Sequence, residues 1–193
     1  MTNLKRLVRY LKKRPRAVYR FKPQRMDKEL LVTVDSDHAG CAVTRKSTTG
    51  LVVQLGDHTV KTSSWIQSTV ALSSGESEFY ALVKGAAYGL SIQALLKDWN
   101  VNVTLRVVSD SSAARSFASR RGLGKQRHVQ TRYLWIQERV GEGHVKIMAG
   151  PVKINDSDIL TKAVSGAGLR RVLLRLGFEI RDKSLIQKET KKM

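Results

Sequence analysis

Four acidic residues fall where a metal-assisted phosphodiester hydrolase would need them. Asp35 ends an alternating apolar run, Leu31-Val-Thr-Val-Asp35, and Asp110 ends a second one, Leu105-Arg-Val-Val-Ser-Asp110. Glu78 sits in the first turns of a long amphipathic stretch that begins near Ser74, and Asp158 opens a short helical segment, Asp158-Ile-Leu-Thr-Lys162. A carboxylate just past the end of a buried strand points into the crevice at the sheet's edge, where open α/β sheets place their ligands. Carboxylates gathered in one place repel one another unless cations neutralise them. Hard divalent ions with oxygen ligands do so, and two of them roughly 4 Å apart can clamp both the attacking and the leaving oxygen of a phosphodiester. Two further acids compete for these roles. Asp37 follows Asp35 by two residues and reads as outer-shell or loop-structuring. Glu76 precedes Glu78 by two residues and so projects from a different face of the helix.

The elements that must carry these acids follow from periodicity. Residues 1–20 read as a basic helix, with Leu4, Leu7, Val8 and Leu11 at helical spacing and Pro15 as its end. Leu30–Asp35, Gly50–Leu55, Thr59–Ser64, Thr104–Ser109 and His144–Met148 read as strands, with Gly56-Asp57 turning the second into the third. Ser73 or Ser74 starts a helix that runs to about Trp99, with Phe79, Leu82, Val83, Ala86, Ala87 and Leu90 on its apolar face. Ser111–Ala118, Val129–Glu142, Asp156–Val164 and Leu169–Leu176 read as further helices. Ser165-Gly-Ala-Gly168 breaks the third of them, and a Lys-rich disordered tail follows the last. The order of elements predicts an α/β layered fold.

Composition limits the partners. The chain has 193 residues, enough for one domain with a full core, and no uninterrupted apolar run approaches the ~20 residues of a membrane span. The first 25 residues are basic and lack a secretory pattern, so an intracellular protein is expected, in cytoplasm or nucleus, with no membrane partner. The single cysteine, Cys41, excludes an intramolecular disulfide and a cysteine-cluster zinc site, and it reads as a small loop residue. The histidines His38, His58, His128 and His144 have no zinc spacing; His58 reads as solvated beside a turn. The net charge of +19 is uneven: residues 1–30 carry +9, residues 165–193 carry +5, and the longer middle only +5. Such a chain binds polyanions through phosphate contacts that weaken with salt, and the competing reading is a solvated basic surface.

Val34-Asp-Ser-Asp-His-Ala-Gly40, Lys46-Ser-Thr-Thr-Gly50 and Thr69-Val-Ala-Leu-Ser-Ser-Gly-Glu-Ser-Glu-Phe-Tyr-Ala-Leu82 resemble the ribonuclease H domain of Ty1/copia-type retrotransposon Pol polyproteins. Arg127-His128, Arg132-Tyr133 and Asp158-Ile-Leu-Thr-Lys162 resemble its later landmarks, and Leu4–Lys12 is similar to the last helix of the preceding reverse transcriptase. The resemblance implies a mixed five-stranded sheet flanked by helices, with the first strand central and paired beside the fourth. It divides the chain into a basic helix (1–28) left from a reverse transcriptase, a ribonuclease H-like domain (29–164), and a basic C-terminal helix and tail (165–193).

It also implies Asp35, Glu78, Asp110 and Asp158 as catalytic metal ligands for two Mg²⁺ ions, with Mn²⁺ as a substitute. The family pattern favours Glu78 over Glu76. The implied reaction is hydrolysis of the RNA strand of an RNA–DNA hybrid, with an upstream reverse transcriptase as a further partner. Substrate contacts are expected from Arg45, Lys46, Ser47 and Thr48 after the first strand, and from Arg120, Arg121, Lys125, Arg127 and His128 in the later basic segment. The sequence departs from the family pattern at Ser111 and Ser112, where amides are usual, and at Gln130, where aspartate is usual. Two other readings stand beside this one: a catalytically inactive, basic nucleic-acid-binding remnant of the domain, and a strand-transfer enzyme of the same superfamily. The position of Glu78 between the two strand-end aspartates argues against the last.

Overall fold

The computed structural model describes residues 2–13, 16–25, 28–124, 126–150 and 155–181. The elements, in chain order, are α1 (Thr2–Lys13), β1 (Arg16–Tyr19), β2 (Glu29–Ser36), β3 (Thr48–Leu55), β4 (His58–Ile66), α2 (Ser74–Asp98), β5 (Thr104–Ser109), α3 (Ser112–Ser119), a 3₁₀ turn (Thr131–Tyr133), α4 (Trp135–Gly141), β6 (Val145–Ala149), α5 (Asp158–Thr161), α6 (Gly166–Arg175) and β7 (Phe178–Arg181).

Five strands form one sheet in the order β4-β3-β2-β5-β6. β2 pairs antiparallel with β3 and parallel with β5, and β5 pairs parallel with β6. This is the mixed sheet that the resemblance implied, with its first strand central beside the fourth. Alternation along β2 buries Leu30, Val32 and Val34 completely, as a central strand requires. Gly56, with φ of +58°, makes the β3–β4 turn in a conformation that L side chains resist.

The long helix α2 lies across one face of the sheet. Ser73 caps it by accepting from the Glu76 amide at 3.2 Å. Phe79, Leu82 and Ala86 are fully buried in the same core as Leu105 and Val107. Two glycines let the helix come close: a Cβ on Gly85 would stand 2.4 Å from Val34, and one on Gly89 would stand 2.4 Å from Leu105. At 25 residues, α2 is long and apolar enough to cross a membrane by length and composition alone. Here its apolar face closes the core instead. α3 and α4 complete this layer through Phe117 and Ile136. A smaller cluster of Val52, Val172 and Leu176 brings α6 against β3.

The elements differ from the sequence reading in four places. The N-terminal helix stops at Lys13, and Arg16–Tyr19 is a strand paired antiparallel with β7. Pro15 lies outside the described residues. Leu4, Leu7, Val8 and Leu11 remain exposed, so the apolar stripe of α1 has no cover among the described residues. The single helix expected over Val129–Glu142 is a 3₁₀ turn followed by α4, and Gln130 opens the turn without a side-chain cap. The helix around Asp158 is one turn long, and Ser165 starts α6 by capping the Gly168 amide at 3.1 Å. The Lys-rich segment 182–193 lies outside the described residues.

Candidate metal centre

β2 and β5 are parallel neighbours, so their C-terminal ends coincide. β2 connects onward to one side of the sheet and β5 to the other, which opens a crevice at that edge. Asp35, next to last in β2, and Asp110, just past β5, meet there. Glu78 reaches the same point from the second turn of α2. Ligand oxygens of these three side chains lie within 4.8 Å of one another. Asp35 is 1% exposed and Glu78 9% exposed.

The electrostatics follow from that crowding. Glu78 Oε1 accepts from the Ser36 amide at 3.2 Å, while its Oε2 is buried without any hydrogen-bond partner. Burial, then the charges of Asp35 and Asp110, push the Glu78 carboxyl up to about 8, against the opposing pull of the Ser36 amide and Lys162. Asp110 is raised as well, by burial first and then by Asp35, with Lys162 working the other way. A buried carboxylate oxygen without a partner, on one of three crowded acids, is what a hard cation would satisfy, so the residues present fit divalent ions with oxygen coordination.

Asp158 comes from a different layer. Asn155 donates to the Val34 carbonyl at 3.1 Å, and its own oxygen accepts from the Ser157 amide at 3.1 Å, which seats α5 beside the end of β2. Gly50 on β3 permits the approach, since a Cβ there would stand 2.8 Å from the Ser157 carbonyl and 2.8 Å from Thr161 Cγ2. Thr161 then donates its hydroxyl to Asp35 Oδ2. Asp158 lies outside the group of three and is joined to it by Lys162, whose Nζ is 2.9 Å from Asp158 Oδ1 and 3.1 Å from Asp35 Oδ1. Burial works against the Lys162 charge, but Asp158 and Asp35 outweigh it and hold the amine protonated well above the usual lysine range.

The neighbouring acids have separate work. Glu76 is buried and turned away from the three: it accepts from Tyr80, from the Leu72 amide at 3.0 Å and from His128 Nε2 at 2.9 Å. Burial alone would raise its carboxyl, but the hydrogen bonds from Tyr80 and His128 hold it below the usual range. Asp37 closes the β2–β3 loop by accepting from the Thr48 amide.

The expected substrate contacts divide. Arg45 is exposed in a left-handed backbone conformation, φ +56°. Lys46 and Thr48 are half-buried. Ser47 is fully buried and spends its hydroxyl on the Ala39 amide at 3.0 Å, so it shapes the loop and offers no surface. Arg120, Arg121 and Arg127 are exposed; Arg120 lies over the Phe117 ring and donates to the Leu123 carbonyl at 2.8 Å. His128 is committed to Glu76. Lys125 lies outside the described residues. His58 is not free in solvent: its ring contacts Gln24 at 3.1 Å and the Lys22 carbonyl at 2.9 Å.

Three site residues escaped the sequence reading. Lys162 was signalled by its i, i+4 spacing from Asp158. Thr161 had no such signal. Neither had Gln67, which is buried and donates to Ser36 Oγ at 3.2 Å, Thr49 Oγ1 at 2.9 Å and the Ser77 carbonyl at 2.8 Å, tying β2, β3 and α2 together behind the acids.

No family model matches the chain. It is 28% identical over 132 residues to the retrovirus-related Pol polyprotein from transposon TNT 1-94 of Nicotiana tabacum, an alignment covering 67% of this chain and 10% of that protein. It is 26% identical over 178 residues to the retrovirus-related Pol polyprotein from transposon RE1 of Arabidopsis thaliana, covering 90% and 12%. An uncharacterised mitochondrial protein of Arabidopsis thaliana is 40% identical over 85 residues, covering 44% and 35%. The chain thus spans about a tenth of the Pol polyproteins and about a third of the mitochondrial protein. Similar solved structures include a ribonuclease H1 isolated from compost by a metagenomic approach, with 14% identity, TM-score 0.49 and coverage of 76% of this chain and 99% of that one. Another is the N-terminal RNase H domain of a Mycobacterium tuberculosis protein, with 14% identity, TM-score 0.47 and coverage of 77% and 98%. In sequence the chain is similar to short stretches of the Pol polyproteins of retrovirus-related transposons, and its mixed five-stranded sheet flanked by helices is a ribonuclease H-like fold.

Proposed function

We propose that this domain is a divalent-metal-dependent endonuclease that hydrolyses the RNA strand of RNA–DNA hybrids, as one part of a retrotransposon Pol polyprotein. The observation that carries the reading is the convergence of Asp35, Glu78 and Asp110 within 4.8 Å, with Glu78 Oε2 left unpartnered. Asp35, Glu78 and Asp110 would hold one Mg²⁺, and Asp35 with Asp158 a second. When bound, such ions lower the pKa of a water and stabilise charge on the leaving oxygen.

The chain's own residues orient and hold. Asp35 is fixed by Thr161 on one oxygen and faces Lys162 with the other. Glu78 is fixed by the Ser36 amide, and Asn155 and Gly50 set the depth of α5. Arg45 and Lys46 in the β2–β3 loop, with Arg120, Arg121 and Arg127 after α3, would supply cations for the phosphate backbones of a duplex. Choice of the RNA strand would rest on its 2′-hydroxyls. The three segments 1–28, 29–164 and 165–193 are read as the end of a reverse transcriptase, the nuclease and a basic extension.

The test offers the purified chain an RNA–DNA hybrid, an RNA duplex and a DNA duplex, each strand labelled separately, with Mg²⁺, with Mn²⁺ and with EDTA. Metal-dependent loss of the hybrid's RNA strand alone is expected. Salt-sensitive hybrid binding without cleavage under any metal would replace this reading by that of a non-catalytic nucleic-acid-binding domain.

A further inference from the structure

We propose that the Lys162 ammonium is a tethered cation that occupies the second metal position, so that the free domain takes one divalent ion and admits another only when Lys162 swings out. The inference rests on the metal-nuclease reading of the same site.

Its ground is geometric. Lys162 Nζ stands between Asp35 Oδ1, at 3.1 Å, and Asp158 Oδ1, at 2.9 Å. These are the oxygens that an ion shared by Asp35 and Asp158 would need at about 2.1 Å. An ammonium and a Mg²⁺ ion cannot both sit among them, because they would overlap and repel. The Asp35–Glu78–Asp110 position is different. Its unpartnered atom is Glu78 Oε2, on which no lysine is seated. The two positions are therefore unequal before any ion arrives: both feel the Lys162 charge, but only the Asp35–Asp158 pair has the ammonium seated between its oxygens.

Lys162 is also built to leave. Its backbone is anchored, since its amide donates to the Asp158 carbonyl at 2.8 Å and the preceding Thr161 is bound to Asp35. Its side chain, in contrast, is 50% exposed. Its four-carbon stem lets the charge move without moving the chain. A substrate phosphate entering beside Asp158 offers the ammonium a new partner and frees the two oxygens together. Loading of the second ion would then be coupled to the arrival of substrate.

The experiment counts ions and needs no turnover. Mn²⁺ is titrated into the purified chain by calorimetry, and electron paramagnetic resonance reports whether bound ions are spin-coupled. The wild type should bind one Mn²⁺ and show no coupling. Lys162→Met should bind a second ion at least about tenfold more tightly than the wild type does, with a coupled signal, and Asp158→Asn in that background should abolish it. Lys162→Gln serves as a second variant should the methionine chain fail to fold by circular dichroism. Two ions of similar affinity in the wild type, or a single ion in every folded Lys162 variant, would overturn the inference and leave the nuclease reading standing. No Mn²⁺ bound by folded wild type or variants would overturn both.

Discussion

Glu78 is the residue at which the chemistry of the site shows most plainly in the fold's own energetics. An ordinary glutamate titrates near 4.5, and here burial with Asp35 and Asp110 raises the group to about 8. Between those values the folded chain keeps a proton that the unfolded chain has released. Raising the pH through that window therefore favours unfolding, and the metal-free domain loses stability as pH rises. We expect the unfolding free energy from urea titrations in EDTA to fall between about pH 5 and pH 8 more steeply for the wild type than for Glu78→Gln, by on the order of 3 kcal/mol. Saturating Mg²⁺ should restore the wild type at the upper end, because an ion bound only by the folded state stabilises it. Equal slopes in the two chains would show that Glu78 is not under that strain. The same residue shows the reach of the sequence. Glu76 and Glu78 were separable by helical phase and by resemblance, and the structure turns Glu76 to Tyr80 and His128. Lys162 stood in plain view as an i, i+4 partner of Asp158, but its grip on Asp35 depends on how α5 meets β2 across 127 residues of chain.

At the scale of elements, the site depends on how deeply α5 sits against the sheet. Gly50 controls that depth, because a methyl group there would stand 2.8 Å from a backbone oxygen that cannot rotate away. Gly50→Ala should lift α5, lower the thermal midpoint through overpacking of about 1–3 kcal/mol, and weaken Mn²⁺ binding by roughly ten- to a hundredfold. Calorimetry and a melting curve check both, and an unchanged Mn²⁺ affinity would separate α5 from the metal centre. Gln67→Leu should act on the other side. It removes the buried amide whose two hydrogens are shared among three acceptors on β2, β3 and α2, at a cost of about 2–3 kcal/mol, readable in urea unfolding. The strands and α2 were legible because each has a clear period and clean punctuation, such as Gly56-Asp57 and Ser73. Thr131–Gly141 was not, since its apolar spacing suits one helix while Gln130 provides no cap to start it. The depth of α5 was not legible either, because Gly50 reads as a strand glycine until its neighbour across the layers is known.

For the whole molecule, the segment after α1 and the last described strand are clasped. β1 pairs with β7, Tyr19 packs edge-on against Phe178 at 5.0 Å, and Tyr19 receives the Thr59 amide on its hydroxyl. α6 reaches back to the site's own layer, where Arg175 donates to Asp156 two residues before Asp158. Tyr19→Ala should cost about 1–3 kcal/mol in a melting experiment by removing a packed ring and its hydrogen bond, and no change would mean the clasp adds nothing to the domain. This tie was invisible in sequence: β1 is four residues inside a basic stretch that continues a helical pattern, and 158 residues separate it from its partner. Charge, by contrast, was readable without any structure. With +19 on the chain, hybrid affinity should drop by roughly a thousandfold between 50 and 200 mM salt, in a filter-binding or anisotropy titration.

The most direct measurement is single-turnover cleavage of an RNA–DNA hybrid in Mg²⁺ by the wild type beside Asp35→Asn and Asp110→Asn, all three verified as folded. We expect the wild type to cut the RNA strand and leave 3′-hydroxyl and 5′-phosphate ends, and each variant to lose at least about a hundredfold in rate. Cleavage undiminished in both variants, or absent from the wild type, would contradict a nuclease centre built on these carboxylates.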